Sequence, residues 1–302
     1  MAKLSNKVSK NTWNEWIWAW FLIAPTTIGL IVLNIIPIFQ TAYLSFFKSG
    51  DFGRNHIFVG LDNYVRMFQD PQVWQAVVNT LVYTLLVVPV SIAFAMLIAV
   101  LLNRPIRGRS LYRTIYFIPM IAAPAAVTMV WRWLYNSNFG LINYLLSLLG
   151  IPPVNWTTDP KIAIVSIAII GIWSIVGYNM VLLLAGLQEI PRDFYEASEI
   201  DGAGKVKQFF TVTLPLVTPT LFFVMVTTII QSMQVFDVIY MMIDITNPAY
   251  EKTVSLVYLF YNNSFKYSDK GYGSAIVMLL LAIIMIITVI QIKVQKKWVN
   301  YS

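Results

Sequence analysis

The chain has 302 residues, 58% of them hydrophobic and only 12% charged, with a net charge of +7. Soluble domains carry about 25% charged residues, so this composition excludes a mostly charged, water-facing surface and makes a lipid bilayer the natural solvent. There are no cysteines and one histidine, His56, which excludes disulfides and thiolate metal sites and leaves a lone imidazole with no partner for metal binding or proton transfer.

A membrane span needs about 20 apolar residues. Six stretches qualify: 17–40, 74–102, 114–134, 161–185, 214–236 and 273–292. Lys3, Lys7 and Lys10 precede the first, and Trp13, Trp16, Trp18 and Trp20 cluster where it enters the bilayer, as an aromatic belt does. Its apolar run is too long for a signal peptide, and no small-residue cleavage site follows. The second span is long enough to tilt or protrude, and Pro89 within it can kink the helix. The loop that follows, NRPIRGRSLYR, carries Arg104, Arg107, Arg109 and Arg113 and no acid. These arginines read as topology determinants near anionic headgroups rather than as nucleic-acid contacts. The third span ends near Arg132, and basic residues return after the sixth at Lys293, Lys296 and Lys297.

An even number of spans puts the three basic segments on one side, and the positive-inside rule makes that side the cytoplasm. Segments 41–73, 135–160 and 237–272 then face outward. The expected fold is an all-α membrane protein of six transmembrane helices with both termini cytoplasmic. Residues 17–292 form one membrane domain between a cytoplasmic N-terminal segment, 1–16, and a C-terminal tail, 293–302.

The loop between the fourth and fifth spans breaks the basic trend. Glu189, Asp193, Glu196, Glu199 and Asp201 outnumber Arg192, Lys205 and Lys207. Pro191 precedes a helical pattern that Asp193 can cap, with Glu196 three residues on completing a box-like arrangement. Acids lead and lysines trail, in keeping with the helix dipole. Gly202 and Gly204 mark the exit, and Pro215 stands where the chain re-enters the membrane. Ala197 and Ser198 keep the surface low, and Gly202 allows a backbone to come close. Two readings stand side by side: a helix lying on the membrane interface, or a handle docking into a partner's cleft. The acids favour the partner, because anionic headgroups repel them.

The segment EASEIDGAGKVKQFFTVTLP resembles the signature loop of ATP-binding-cassette importer permeases. It supplies Glu196, Ala197, Ser198, Gly202, Val212, Leu214 and Pro215, with Ser198 in place of an alanine and Val212 in place of an isoleucine. PTTIGLIVLNIIPIFQTAYLSF, VGLDNYVRMFQD, VWQAVVNTLVYT, RGRSLYRTIYFIPMI, WRWLYNSNFGLIN and FDVIYMM are similar to the carbohydrate-uptake branch (the maltose, multiple-sugar and glycerol-3-phosphate type), so the likeness runs from about residue 20 to 290. The outer stretch IDITNPAYEKT departs from the Gly-rich turn of many relatives. The resemblance implies a type I importer permease fold, in which residues about 193–204 form a coupling helix that transmits motion. It also implies a cytoplasmic ABC ATPase dimer that binds the ATP and Mg, a second and different permease chain, an extracytoplasmic sugar-binding protein, a sugar or oligosaccharide cargo, and a bacterial or archaeal cell membrane.

The residues themselves agree with energy arriving from outside. Gly204-Lys205 is followed by Val206, and Glu199 stands where a Walker A loop needs its first glycine. The spans hold almost no ionisable residues of the kind ion-coupled carriers bury. Neither paired carboxylates nor nucleophile–base spacing suggests an active site, so an enzyme is not expected. Thr227, Gln231 and Gln234 share a helical face of the fifth span, and Trp173, Tyr178 and Asn179 interrupt the fourth. Amides and aromatic faces suit sugar hydroxyls, but polar residues in spans also tie helices together. Asp237 either caps the fifth span or faces the pathway. Three alternatives remain: a glycerol-phosphate permease, a stand-alone secondary carrier or channel, and a membrane scaffold with no path.

Overall fold

A computed structural model describes residues 10–49 and 56–299. Lys3 and Lys7 lie outside the described residues, as do the side chains of Lys10 and His56. Fifteen α-helices are described: α1 (Lys10–Leu30), α2 (Ile36–Leu44), α3 (Asp62–Gln69), α4 (Pro71–Leu102), α5 (Arg109–Ile121), α6 (Pro124–Leu134), α7 (Leu141–Leu148), α8 (Ala163–Glu189), α9 (Arg192–Ile200), α10 (Lys205–Gln208), α11 (Leu214–Leu216), α12 (Thr218–Met233), α13 (Asp237–Met242), α14 (Leu256–Tyr261) and α15 (Lys270–Gln295). Short π-helical turns join α1 to α2, α10 to α11 and α14 to α15. The expectation of an all-helical chain needs one correction. Strands β1 (Phe47–Ser49) and β2 (His56–Phe58) pair antiparallel, with Phe47 opposite Phe58. Runs of three residues are too short to carry a periodic signal.

Five segments are long and apolar enough to cross a membrane: Trp13–Leu44, Pro71–Leu102, Ala163–Glu189, Thr218–Met242 and Lys270–Gln295. The stretch expected as a third span, 114–134, is not one straight helix. Helices α5 and α6 meet at 96° across a short break, and they make a sixth span only if the bent pair counts as one. The cause is local. Ala122 and Ala123 are extended (ψ 142° and 131°). Pro124 forces extension on the residue before it and then opens α6 as its first residue. Pro89, by contrast, sits inside an unbroken α4. At 32 residues that helix is about 48 Å long, more than a hydrocarbon core requires.

Burial divides the spans. The most apolar stretch of α8 is 56% buried and that of α4 39%, whereas the Trp13–Leu44 segment buries none of its own. Helices α4 and α8 therefore form the spine. One apolar cluster at its α9 end joins Ala95, Met96 and Ala99 of α4 to Met180, Leu183 and Leu184 of α8 and Val224 of α12. A larger one toward the other end gathers Val73, Tyr83, Ile167, Met233, Tyr258 and Tyr272. Backbones approach closely where side chains are absent: a Cβ on Gly177 would run into the carbonyl of Tyr116 on α5.

The end opposite α9 forms a crown, made of residues 45–49, 56–73, 135–162 and 234–272. Asp70 caps α4 by accepting from the Gln72 N–H at 2.8 Å, and its other oxygen accepts from the Tyr272 hydroxyl at 2.6 Å. Arg66 pairs with Asp269 at 2.8 Å and lies 3.9 Å over the Tyr272 ring. Buried Asn63 donates to the carbonyls of Ser45 and Phe47, each at 2.9 Å. Asn79 of α4 donates to the Glu251 and Val254 carbonyls at 2.9 and 3.0 Å, and Thr80 accepts from the Leu256 N–H at 3.1 Å. Side chains of α3, α4 and α15 thus stitch the loops to the spans.

Candidate functional site

The segment between α8 and α12 is where sequence and geometry converge. Helix α9 begins directly after Pro191, whose backbone is extended (φ −59°, ψ 142°). Pro191 takes the cap position and no side chain caps the helix. Asp193 therefore stands one residue inside the first turn rather than at the cap, and the box with Glu196 does not form. The acid still complements the helix dipole from that position. The other terminus closes as a Schellman motif. Gly202 is left-handed at φ +74°, the Ala203 N–H reaches the Ser198 carbonyl, and the Gly202 N–H reaches the Glu199 carbonyl, both at 3.0 Å. A Cβ on Gly202 would meet nothing within 4 Å. Its glycine is required here by backbone angle and not by crowding.

Only one stripe of α9 turns inward. Tyr195 and Ser198, three residues apart, are half-buried, while Asp193, Glu196 and Ala197 are exposed. The Tyr195 hydroxyl meets Thr213 Oγ1 at 3.1 Å and its carbonyl takes a long bond, 3.5 Å, from Gln208. Val212, Leu214 and Pro215 are half-buried in the turns leading into α12. Tyr195, Gln208 and Thr213 were not singled out from the sequence; the inward spacing of Tyr195 and Ser198 was the available signal. On the outward side, Ile200 is 87% exposed and Val206 74%, and Phe194 is also exposed. These large apolar groups lie uncovered among the acids of the same segment. Glu199 pairs with Lys205 at 2.5 Å, and that hydrogen bond, with a second from Gln208, holds the carboxyl below its ordinary range.

The residues expected along a cargo path separate into two groups. Asn179 is fully buried, and its Oδ1 accepts from the Thr228 hydroxyl of α12 at 3.2 Å, while its Nδ2 has no partner. In this chain it ties α8 to α12. Thr227, Gln231 and Gln234 lie away from that seam, Thr227 half-buried and both glutamines exposed. Helix α12 ends at Met233, so Gln234 is its cap residue. Gln234 lines a groove of about 240 Å³ with Pro37, Thr41, Val277 and Leu281. Trp173 is exposed and stands edge-on to Trp131 at 5.7 Å, and Tyr178 is half-buried. Asp237 is exposed in the first turn of α13.

A family model described as the binding-protein-dependent transport system inner membrane component matches residues 69–300. The chain is 32% identical over 290 residues to the trehalose/maltose transport system permease protein of Thermococcus litoralis, covering 96% of this chain and 97% of the relative. It is 33% identical over 298 residues to the sn-glycerol-3-phosphate transport system permease protein of Brucella abortus, covering 98% and 100%. The sulfoquinovosyl glycerol transport system permease protein of Agrobacterium fabrum is 32% identical over 289 residues, with 93% of each chain covered. Among solved structures, a chain of a bacterial alginate ABC transporter, in complex with an alginate pentasaccharide-bound periplasmic protein, superposes with a TM-score of 0.83 at 20% identity, over 95% of this chain and 96% of that one.

Proposed function

The chain belongs to the family of binding-protein-dependent transport system inner membrane components, and from that premise we propose that it is the permease subunit of an ABC importer for a sugar or oligosaccharide. It is a multi-pass membrane protein and not an enzyme. It forms half of a translocation pathway, and a second, different permease chain completes it. Both termini and α9 face the cytoplasm of a bacterial or archaeal cell, and the crown faces outward to receive a sugar-binding protein. ATP and Mg bind the partner ATPase dimer, and none of the cofactor chemistry resides in this chain.

The observation that carries this reading is α9. A short helix held by few contacts, closed by a left-handed Gly202 and baring Ile200, Val206 and Phe194 among acids, is built to be gripped. Asp193, Glu196, Ala197, Ser198, Gly202, Leu214 and Pro215 constitute the coupling element. When the ATPase subunits close, α9 moves with the groove that holds it, and the half-buried turns through Leu214 and Pro215 pass the displacement to α12. The spans then rock between inward- and outward-facing states. Trp173, Tyr178, Asn179, Thr227, Gln231 and Gln234 are the proposed cargo contacts. The open glutamine face supports the reading for Gln231 and Gln234 more directly than burial supports it for Asn179.

The test is reconstitution into liposomes. The chain with its permease partner, ATPase and binding protein is expected to accumulate sugar only with ATP inside the ATPase-facing compartment. Flux by this chain alone, without nucleotide, would make it a secondary carrier or channel. Cysteine labelling of residue 200 from the outside of intact cells would reverse the orientation. The glycerol-phosphate relative supports a second cargo, and competition between a neutral disaccharide and sn-glycerol-3-phosphate separates the two. Few cations line the spans, which favours the neutral one.

A further inference from the structure

Helix α5 starts with two arginines that have no counter-ion among the described residues. Arg109 and Arg113 are one turn apart and converge on the end of α8. With its amide oxygen turned toward them, Gln188 accepts from Arg113 Nη2 at 2.8 Å and from Arg109 Nη2. Among the described residues, that neutral carbonyl is the acceptor they share. The Nε atoms of both guanidiniums are shut off from solvent with no partner. Neither arginine is in an ion pair among the described residues. Nor can a near neighbour in sequence neutralise them, because no acid occurs between Asp70 and Asp159. Two like charges one helical turn apart repel each other, and a half-buried guanidinium with open donors is costly unless an anion meets it. The first-turn N–H groups of α5 add positive potential at the same point.

The other side of α5 fixes the height of this pair. Leu111, Ile115 and Ile118 are exposed on the face opposite the arginines, so the helix starts at the membrane surface and runs inward. The geometry points to a binding site for a phosphate-bearing anion held between Arg109 and Arg113, supplied by the headgroup of an anionic phospholipid. A phosphate presents several oxygens and can take both planar guanidiniums at once, which the single Gln188 carbonyl cannot match. The site rests on the proposed orientation only for which leaflet supplies the lipid.

The test uses the purified, assembled transporter in a neutral detergent. It is titrated with short-chain phosphatidylglycerol, with short-chain phosphatidylcholine and with inorganic phosphate, while native mass spectrometry counts bound lipid and the unfolding midpoint is followed. Phosphatidylglycerol is expected to bind and raise the midpoint, phosphatidylcholine to do neither, and Arg109→Gln/Arg113→Gln to weaken phosphatidylglycerol binding by about tenfold or more. Arg109→Lys/Arg113→Lys keeps the charge, and is expected to retain the preference for phosphatidylglycerol while binding less tightly. It also shows that the subunit still assembles. A response to inorganic phosphate equal to that of phosphatidylglycerol keeps the phosphate site and assigns it to a solute. Equal binding of the two lipids by the wild-type complex overturns the proposal, as does undiminished phosphatidylglycerol binding by the double glutamine variant. So does a crosslink joining residue 113 to a carboxylate of the ATPase. None of these readouts depends on which cargo is carried, so they fail or succeed separately from the transport reading.

Discussion

The two ends of the bundle are held by different means. At the crown, buried side chains bond to backbone: Asn79 to the Glu251 and Val254 carbonyls, Ser255 to the Val235 carbonyl at 2.7 Å, and Tyr258 to the Ile243 carbonyl at 3.2 Å. Each of these fixes a loop directly to a span or to its neighbour. At the other end α9 touches the rest of the chain through Tyr195, Thr213 and Gln208, with an exposed Glu199–Lys205 pair beside them. Low local contact and solvent-exposed bonds mark a segment that moves easily. On the function proposed above, the crown is a platform and α9 is a lever arm gripped by another protein. Substitutions that cost stability and those that cost function should therefore fall at opposite ends.

The largest effect expected is at the crown. Asn79→Ala removes three bonds, two donated to the Glu251 and Val254 carbonyls and one accepted from Gln75 Nε2, and leaves those carbonyls short of donors, at a cost of about 2–3 kcal/mol. A lowered thermal midpoint in detergent checks this, with uptake per folded molecule unchanged. A fall in ATPase co-purification from Asn79→Ala, at normal midpoint, would break the contrast between the two ends.

The spine comes next. Gly177→Leu pushes a side chain into the Tyr116 carbonyl and should cost about 1–3 kcal/mol, read as loss of properly inserted protein. Its effect should exceed that of Gly29→Leu, since a Cβ at Gly29 meets nothing within 4 Å.

At α9 the effects shrink in stability and grow in function. Gly202→Ala forces a Cβ into a left-handed backbone at about 1 kcal/mol of local cost, while Gly202→Asn, which tolerates that region, should cost less. Both leave room in this chain, so loss of uptake in Gly202→Asp with normal insertion would report on the partner's groove. Uptake and ATPase co-purification that are normal in Gly202→Asp would remove the coupling role from this turn.

How much of this was legible in the sequence follows from which forces leave a local mark. Hydrophobic length marks spans, so all but one of the apolar stretches overlap a single candidate span. The exception, 114–134, shows what hydropathy cannot carry: it measures solvent and not direction, and the 96° turn at Ala122–Ala123 is written in Pro124 and the extended residue it demands. Gly202 was legible because a left-handed terminus needs a glycine. The cap was misread because Pro191, rather than Asp193, took the position. The crown's staples pair residues such as Asn79 with Val254, far apart in the chain, and no local pattern announces them. Asn179 was seen as polar, but only its bond to Thr228 placed it inside the chain.

The smallest expected effect is at the Glu199–Lys205 pair. Both side chains are mostly exposed, at 54% and 72%, and exposed ion pairs contribute little to folding because water and salt already satisfy them. Glu199→Gln should leave the unfolding midpoint unchanged. The Lys205 and Gln208 hydrogen bonds lower the carboxyl's pKa, so the pair holds its charge to lower pH than a free glutamate would, and acidification to pH 5 should not release it either. What Glu199→Gln can change is docking, because the residue sits beside Ile200 on the bare face of α9. A salt-dependent loss of ATPase affinity with no change in midpoint would place Glu199 in the partner's groove. A shift in midpoint with unchanged affinity would instead make the pair part of the chain's own frame, and the division between platform and lever would need to be redrawn at this residue.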